Sequence, residues 1–428
     1  MGASKSTRKQ DRHHPQRAHL RGFGYFRRLG PGFITGAADD DPAGIGTYSQ
    51  IGASFRFDLV WTAPLSLPLA AVVQETAGRL GLTTGRGLMS LIKERFPAWV
   101  MWLAVVLVVG ANVFNIGADL GSMADALGLL VPVPFTLLVI AMAAVILLLE
   151  VFVSYERYSI VLRWLALSIL AYVIELVVVD VDWGAVAAGL IPSFQTNAAF
   201  VEALVAIFGT TISPYLFLWQ AGEEMEEVKS KKLHRIDRSH LTAMRVDVVS
   251  GMAAGVIVMF AIMVTAGSTI GAQGAVQIQT ADQAAKALEP IAGELSSTLF
   301  AIGIVGTGLL AIPTLAGSAA YALSEAFGWR EGLGRSLRQA PGFYGVIAAA
   351  MLLGLALNFV GIDPIRALFL SALLNGLAAP PLILLMLILS RSGTRPREGG
   401  VLSTVLVAIA LGVMTVAALA YLVTLVFG

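Results

Sequence analysis

With 428 residues, 57% of them hydrophobic and only 13% charged, and a mean hydropathy of +0.78, the chain is too apolar for a soluble protein. The formal net charge of +1 gives no ground for a nucleic-acid partner. The absence of cysteine excludes disulfides, thiolate metal ligands and cysteine nucleophiles.

Residues 1–28 form a tail with Lys5, Arg8, Lys9, Arg12, Arg17, Arg21, Arg27 and Arg28. No apolar core directly follows a short charged stretch, so a retained cytoplasmic tail is expected rather than a signal peptide. Its basic run reads as a disordered arm that sets topology, not as a lipid- or nucleic-acid-binding element. Beyond it, hydropathy predicts eleven membrane spans, near 31–53, 57–80, 98–125, 133–154, 156–178, 198–226, 241–270, 292–326, 342–359, 363–390 and 401–427. Counted from a cytoplasmic N-terminus, the inner loops hold Arg79, Arg86, Lys93 and Arg95, then Arg157, then Lys229, Lys231, Lys232, Arg235 and Arg238. Arg330, Arg335, Arg338, Arg391, Arg395 and Arg397 follow on the same side, whereas the outer loops hold only Arg56, Lys286 and Arg366. This positive-inside pattern predicts that the C-terminus lies outside.

The first span carries Asp39-Asp40-Asp41-Pro42-Ala43-Gly44-Ile45-Gly46. Each carboxylate would cost ~2.5 kcal/mol or more at the bilayer centre. Proline removes a helix hydrogen bond and glycine frees the backbone, so a helix broken at mid-membrane is predicted. Its freed carbonyls, near Ala38, and at least one carboxylate would line a cation site. Asp41, directly before the break, is the candidate ligand; one of Asp39 and Asp40 is expected to line the aqueous path. The third span places Asn112, Asn115 and Asp119 on one helical stripe. That polar seam would line a water path or fasten helices together.

The sixth span repeats the interruption, in Gly209-Thr210-Thr211-Ile212-Ser213-Pro214-Tyr215. Ser213 and Thr210 can offer hydroxyl or carbonyl oxygens, or merely bond to the previous turn. Tyr215 would close the cavity, hydrogen-bond a bound water or pack, and Gln220, about two turns beyond Ser213, is a candidate to face the cavity. Glu223, Glu224, Glu226 and Glu227 end the span, against the helix dipole. They read as a solvated helix end or as an acidic inner vestibule. Gln74 and Glu75, Glu175 and Asn375 are further intramembrane polar residues of the same kind. All five histidines lie in the tail or the loop after span six, so no intramembrane histidine relay is available. No Walker A, zinc-protease or serine–histidine pattern supports an enzyme.

Breaks in spans one and six imply two five-span halves of opposite orientation meeting at the site, with span eleven peripheral. The expected units are the tail (1–28), a first repeat (29–180), a second repeat (181–392) and the last span (393–428).

Gly30-Pro31-Gly32-Phe33, followed by Asp41-Pro42, resembles the opening of the NRAMP divalent-metal transporters, as does Leu80-Gly81-Leu82-Thr83-Thr84-Gly85-Arg86. The resemblance implies an all-α integral membrane protein with a LeuT-type fold, two inverted five-helix repeats plus an eleventh helix. It also implies that Asp41 is the metal-binding aspartate. The family's Asp-Pro-Gly-Asn reads Asp41-Pro42-Ala43-Gly44 here, and its Met-Pro-His-Asn reads Ser213-Pro214-Tyr215-Leu216. Gly44 therefore stands at the asparagine ligand's position, Ser213 at the methionine's and Tyr215 at a histidine linked to proton movement. Asn112 and Ser122 stand where proton-coupled relatives carry acids, while Asp119 is retained. These departures, with Gly361-Ile362-Asp363-Pro364, resemble the NRAMP-related magnesium transporters of prokaryotes. That likeness implies a bacterial inner membrane and a monomer.

Loss of the soft thioether ligand points the same way, because oxygen ligands suit Mg²⁺ and Mn²⁺. The expectation is uptake of Mg²⁺, and of Mn²⁺, by alternating access without proton coupling, the metal being cargo and no cofactor being needed. The alternatives are a proton-coupled Mn²⁺/Fe²⁺ importer using Asp41, Asp119 and Glu75, an organic-solute symporter, and a metal sensor that does not transport.

Overall fold

The computed structural model describes residues 36, 38–153, 170–233, 236–274, 276–391 and 400–427. The basic tail, the Gly30–Phe33 motif, Arg157, His234, Arg235, Arg395, Arg397 and most of the fifth span lie outside the described residues. The first half of the chain comprises α1 (Pro42–Phe55), α2 (Thr62–Thr84), α3 (Leu88–Arg95), α4 (Ala98–Gly128), α5 (Phe135–Phe152), α6 (Leu170–Val178) and α7 (Trp183–Gly189). The second comprises α8 (Ala198–Thr211), α9 (Pro214–Ser230), α10 (Arg238–Ser268), the short α11 (Ala281–Ala285) and α12 (Glu289–Ala292), then α13 (Ser296–Phe327), α14 (Pro341–Leu357), α15 (Pro364–Arg391) and α16 (Gly400–Phe427).

Among the described residues, seven helical stretches are long and apolar enough to cross a membrane. The other predicted spans fall short of that measure for local reasons. α1 is one half of a split span. α2 has 23 residues but is diluted by Gln74, Glu75 and Arg79. α14 has 17 residues, and of the fifth span only the 9 residues of α6 are described as helix. The second span starts at Thr62 rather than near 57, because residues 56–61 form turns and Trp61 N–H donates to Gly189 O at 3.1 Å. The sixth runs on to Ser230.

Two proline-led breaks organise the fold. The residue before a proline is pushed out of helical geometry toward extended backbone. Asp41 (φ −68°, ψ 171°) and Ser213 (φ −73°, ψ 139°) both adopt it. Pro42 and Pro214 then open α1 and α9 at the first helical position, where a missing N–H costs nothing. Proline alone does not decide this, since Pro68, Pro313, Pro380 and Pro381 all lie inside continuous helices.

α4 packs on α13, α14 and α15. α9 lies on α2 and α13, α8 on α15 and α16, and α1 on α10 and α15. The helical turn before the first break presses on α10 so closely that a Cβ on Gly36 would meet the Gly251 backbone at 2.3–2.5 Å. Small residues at such crossings let backbones meet where lipid supplies no hydrophobic drive between helices.

Candidate functional site

Asp41 is the N-cap of α1, and its Oδ1 accepts the Gly44 N–H at 2.6 Å. Its Oδ2 accepts from Asn115 Nδ2 and from the Tyr215 hydroxyl, both at 3.2 Å. Asp41 is 2% exposed, so these three donors stand in for water around a carboxylate that water scarcely reaches. Ser213 works in the opposite sense. Its hydroxyl points back along the chain and donates to Gly209 O at 2.7 Å and Thr210 O at 2.8 Å, tying off the end of α8 instead of capping α9.

The two broken spans exchange tyrosines. Tyr215, in the first turn of α9, donates to Ala38 O at 2.9 Å, just before the first break. Tyr48, two turns into α1, meets Thr211 Oγ1 at 3.1 Å, just before the second. Thr211 in turn donates to Ile207 O at 2.8 Å and holds Met259 Sδ at 3.9 Å. The Tyr215 hydroxyl thus lies between the Ala38 carbonyl and the Asp41 carboxylate, two oxygens that a small cation or one of its waters would bridge. It has one proton for the two of them.

Asn115 links Asp41 to the rest of the bundle. Its amide also donates to Asp119 Oδ2 at 3.0 Å, and its carbonyl accepts from Asn375 Nδ2 of α15 at 3.2 Å. Asp119 Oδ1 and Asn375 Oδ1 are buried with no hydrogen-bond partner among the described residues. Such orphan acceptors are costly in a low-dielectric interior unless a cation, a proton or water answers them.

The remaining candidates are placed elsewhere. Asn112 turns away from the cluster and donates to Leu315 O of α13 at 2.9 Å. Gln220 is fully buried; its amide donates to Glu224 at 3.0 Å and packs over Gly78 of α2. Asp39 and Asp40, 2% and 6% exposed, face Gly255 of α10 rather than Asn115. Gly44 contributes its N–H to Asp41, and Thr210 its carbonyl to Ser213. Among the described residues no group of three or more His, Asp or Glu side chains converges on one point. The triplet points in more than one direction, because the backbone leaves the helix at Asp41 (ψ 171°).

At the far end of α9 the acids are not simply solvated. Glu226 accepts from the Tyr321 hydroxyl, from Leu333 N at 2.8 Å and from Gly334 N at 3.4 Å. Lys229 lies 3.5 Å from Glu331, whose carboxyl is pushed up by burial and drawn back by that lysine. Nearby, Glu75 joins three spans, accepting from Arg79 of its own helix at 3.2 Å, Arg245 of α10 at 2.9 Å and Ser403 of α16 at 3.3 Å. At the opposite face a cavity of about 520 Å³ opens beside the C-terminal end of α1, lined by Gln50, Ser54, Glu202, Asp363 and Arg366 among others. A strap beyond α10 edges it. Gln50 accepts from Ile278 N at 2.8 Å, and Ser54 donates to Val276 O at 3.1 Å.

Sequence reasoning passed over Tyr48 and Thr211. Tyr48 lies seven residues after Asp41, a helical repeat that returns it to the same face, and Thr211 sits in the interrupted motif itself. Gly255 gave no signal, being one of 44 glycines.

Residues 32–424 match the profile described as natural resistance-associated macrophage protein-like (Nramp). The chain belongs to the Nramp family. It is 27% identical over 355 residues to the divalent metal cation transporter MntH of Pectobacterium carotovorum, covering 80% of each chain. To MntH of Yersinia pestis it is 28% identical over 301 residues, 68% of this chain and 71% of that one. Both Nramp relatives are transporters by name, not enzymes. Among solved structures, a point mutant of the Eremococcus coleocola manganese transporter superposes with a TM-score of 0.73 at 20% identity, over 93% of this chain and 87% of that one. Mhp1, a nucleobase-cation-symport-1 family transporter with bromovinylhydantoin bound, gives 0.58 at 14% identity, over 92% and 91%. The expected LeuT-type architecture is therefore the fold of this Nramp chain.

Proposed function

We propose that the chain transports divalent metal cations across a membrane, Mg²⁺ foremost and Mn²⁺ with it, by alternating access through a partly hydrated site between the two helix breaks. The relatives' names support a divalent metal as cargo. One observation carries the choice of a hard ion. Asp41 is met by an amide, a phenol and a backbone N–H, with the Ala38 carbonyl alongside, while the Met259 sulfur is engaged by Thr211. Mg²⁺ sheds water reluctantly and favours one or two carboxylates plus retained waters over an all-protein cage. A site with one central carboxylate and no converging trio of acids among the described residues suits that demand.

In this reading Asp41 binds the ion or its water shell, the Ala38 carbonyl and oxygens at Thr210 and Ser213 complete the wall, and Gly44 leaves room for water. The cavity beside Gln50 and Glu202 is the outer entrance, and the Glu226 contacts close the inner one. Uptake proceeds without a proton; the about 4.6 kcal/mol that a divalent ion gains from 100 mV, inside negative, permits accumulation. The protein is a monomer in a bacterial inner membrane, with its N-terminus cytoplasmic and its C-terminus outside.

Flux of Mg²⁺ and Mn²⁺ into liposomes, with internal pH recorded, tests this. Wild type should carry both ions with no pH change, Asp41→Ala should carry neither, and Cd²⁺ should compete poorly. Acidification that tracks metal uptake would instead favour the proton-coupled Mn²⁺/Fe²⁺ reading.

A further inference from the structure

Asp39 and Asp40 are buried carboxylates that the Asp41 site does not use. Asp41 has three hydrogen-bond donors. By contrast, Asp39 Oδ1 and Asp40 Oδ1 are buried and have no partner among the described residues. Burying a carboxylate without donors or a counter-charge is among the most expensive arrangements a fold can hold. Both side chains are turned to one place. The position that a Cβ on Gly255 would take lies 3.3 Å from Asp39 Oδ2, 3.3 Å from the Gly36 carbonyl oxygen and 3.7 Å from Asp40 Oδ1. Three oxygens, two of them from carboxylates, therefore lie within 3.7 Å of the point where a side chain at 255 would begin. Gly36 is held there by its direct contact with the Gly251 backbone, so the carbonyl is fixed by a helix crossing and not by a loop.

We infer that Asp39, Asp40 and the Gly36 carbonyl form a second station for a hard divalent cation, set against Gly255 of α10 and separate from the Asp41 site. It rests on the transport reading above. The two acids precede Asp41 in a span that enters from the cytoplasmic side, so the station lies between the Asp41 site and the cytoplasm. Two carboxylates and a carbonyl attract a divalent ion that one carboxylate has just carried past the barrier. The station draws the ion off Asp41 during release, and the two places are occupied in succession.

Equilibrium dialysis of the full-length, detergent-purified protein against radioactive Mn²⁺ tests it. Asp41→Asn keeps an acceptor for Gly44 N–H and should still bind one ion. Adding Gly255→Ala, whose methyl would stand 3.3–3.7 Å from the three oxygens, should abolish that binding, and adding Asp40→Asn should do the same. Gly255→Ala alone should retain an ion at Asp41, which also shows that the variant folds. If Asp41→Asn binds nothing while wild type binds one ion, the second station is wrong and the transport reading stands. If Asp41→Asn with Gly255→Ala binds as well as Asp41→Asn, the station is likewise wrong. If wild type itself binds no Mn²⁺ or Mg²⁺, both readings fail. Radioactive Na⁺ held by Asp41→Asn in place of Mn²⁺, and lost with Gly255→Ala, would overturn the divalent assignment.

Discussion

At the scale of single residues, the chemistry turns on how many donors each carboxylate finds. Asp41 combines a capping role with a charge, and the two are separable. Asp41→Asn should keep the cap on Gly44 N–H and the thermal stability of wild type, yet lose metal flux. Asp41→Ala should lose flux and also about 1 kcal/mol of stability with the cap. Thermal unfolding followed beside flux distinguishes the two variants. Tyr215 offers a sharper test. Its hydroxyl donates to Ala38 O and Asp41 Oδ2. Tyr215→Phe leaves both oxygens less satisfied when no ion is bound, so metal binding should tighten. One lost hydrogen bond is worth about 1 kcal/mol, or roughly fivefold in affinity by calorimetry. Weaker binding in Tyr215→Phe would mean that the phenol holds the ion's water instead.

At the scale of helices, the breaks were legible and the crossings were not. A proline after a polar residue in an apolar span announces an interruption, and both interruptions lie where the residues before Pro42 and Pro214 require them. The same rule applied blindly would have cut α13 at Pro313, where the helix continues. At the two breaks Asp41 and Ser213 tie off loose backbone ends. The crossing of Gly36 on Gly251 could not be read, because nothing local says which helix a glycine meets. It carries a prediction. Gly36→Ala should destabilise the purified protein by about 1–3 kcal/mol, since backbone cannot yield to a methyl. Gly345→Ala, at a position open to its surroundings, should be neutral or slightly stabilising. Melting curves of the two variants in one detergent provide the comparison.

At the scale of the whole molecule, the two faces are built differently. One face has a roomy cavity edged by the strap beyond α10. The other is latched, because Glu226 on α9 gathers the Tyr321 hydroxyl and two N–H groups of the segment after α13. Under the transport reading proposed above, that latch has to open for the ion to leave. Glu226→Gln keeps one acceptor oxygen and loses the charge that strengthens all three bonds. It should shift the population toward the state open on that face. The chain has no native cysteine, so a single Ala221→Cys on buried α9 reports directly. Its labelling rate by a membrane-impermeant thiol reagent applied to that face should rise several-fold in Glu226→Gln. An unchanged rate would show that the latch does not govern access.

The membrane class, the two broken spans and the place of Asp41 at the first break follow from the sequence alone. Each rests on local physics: the cost of charge in lipid, the backbone limits imposed by proline, and the 3.6-residue period. The tertiary structure alone decided which neighbour each acid meets. Asp41 faces Asn115 and Tyr215, Asp39 and Asp40 face Gly255, and Asn112 is spent on a carbonyl of α13. Those outcomes depend on how helices far apart in the chain rotate and press together, and no stretch of sequence contains that information by itself.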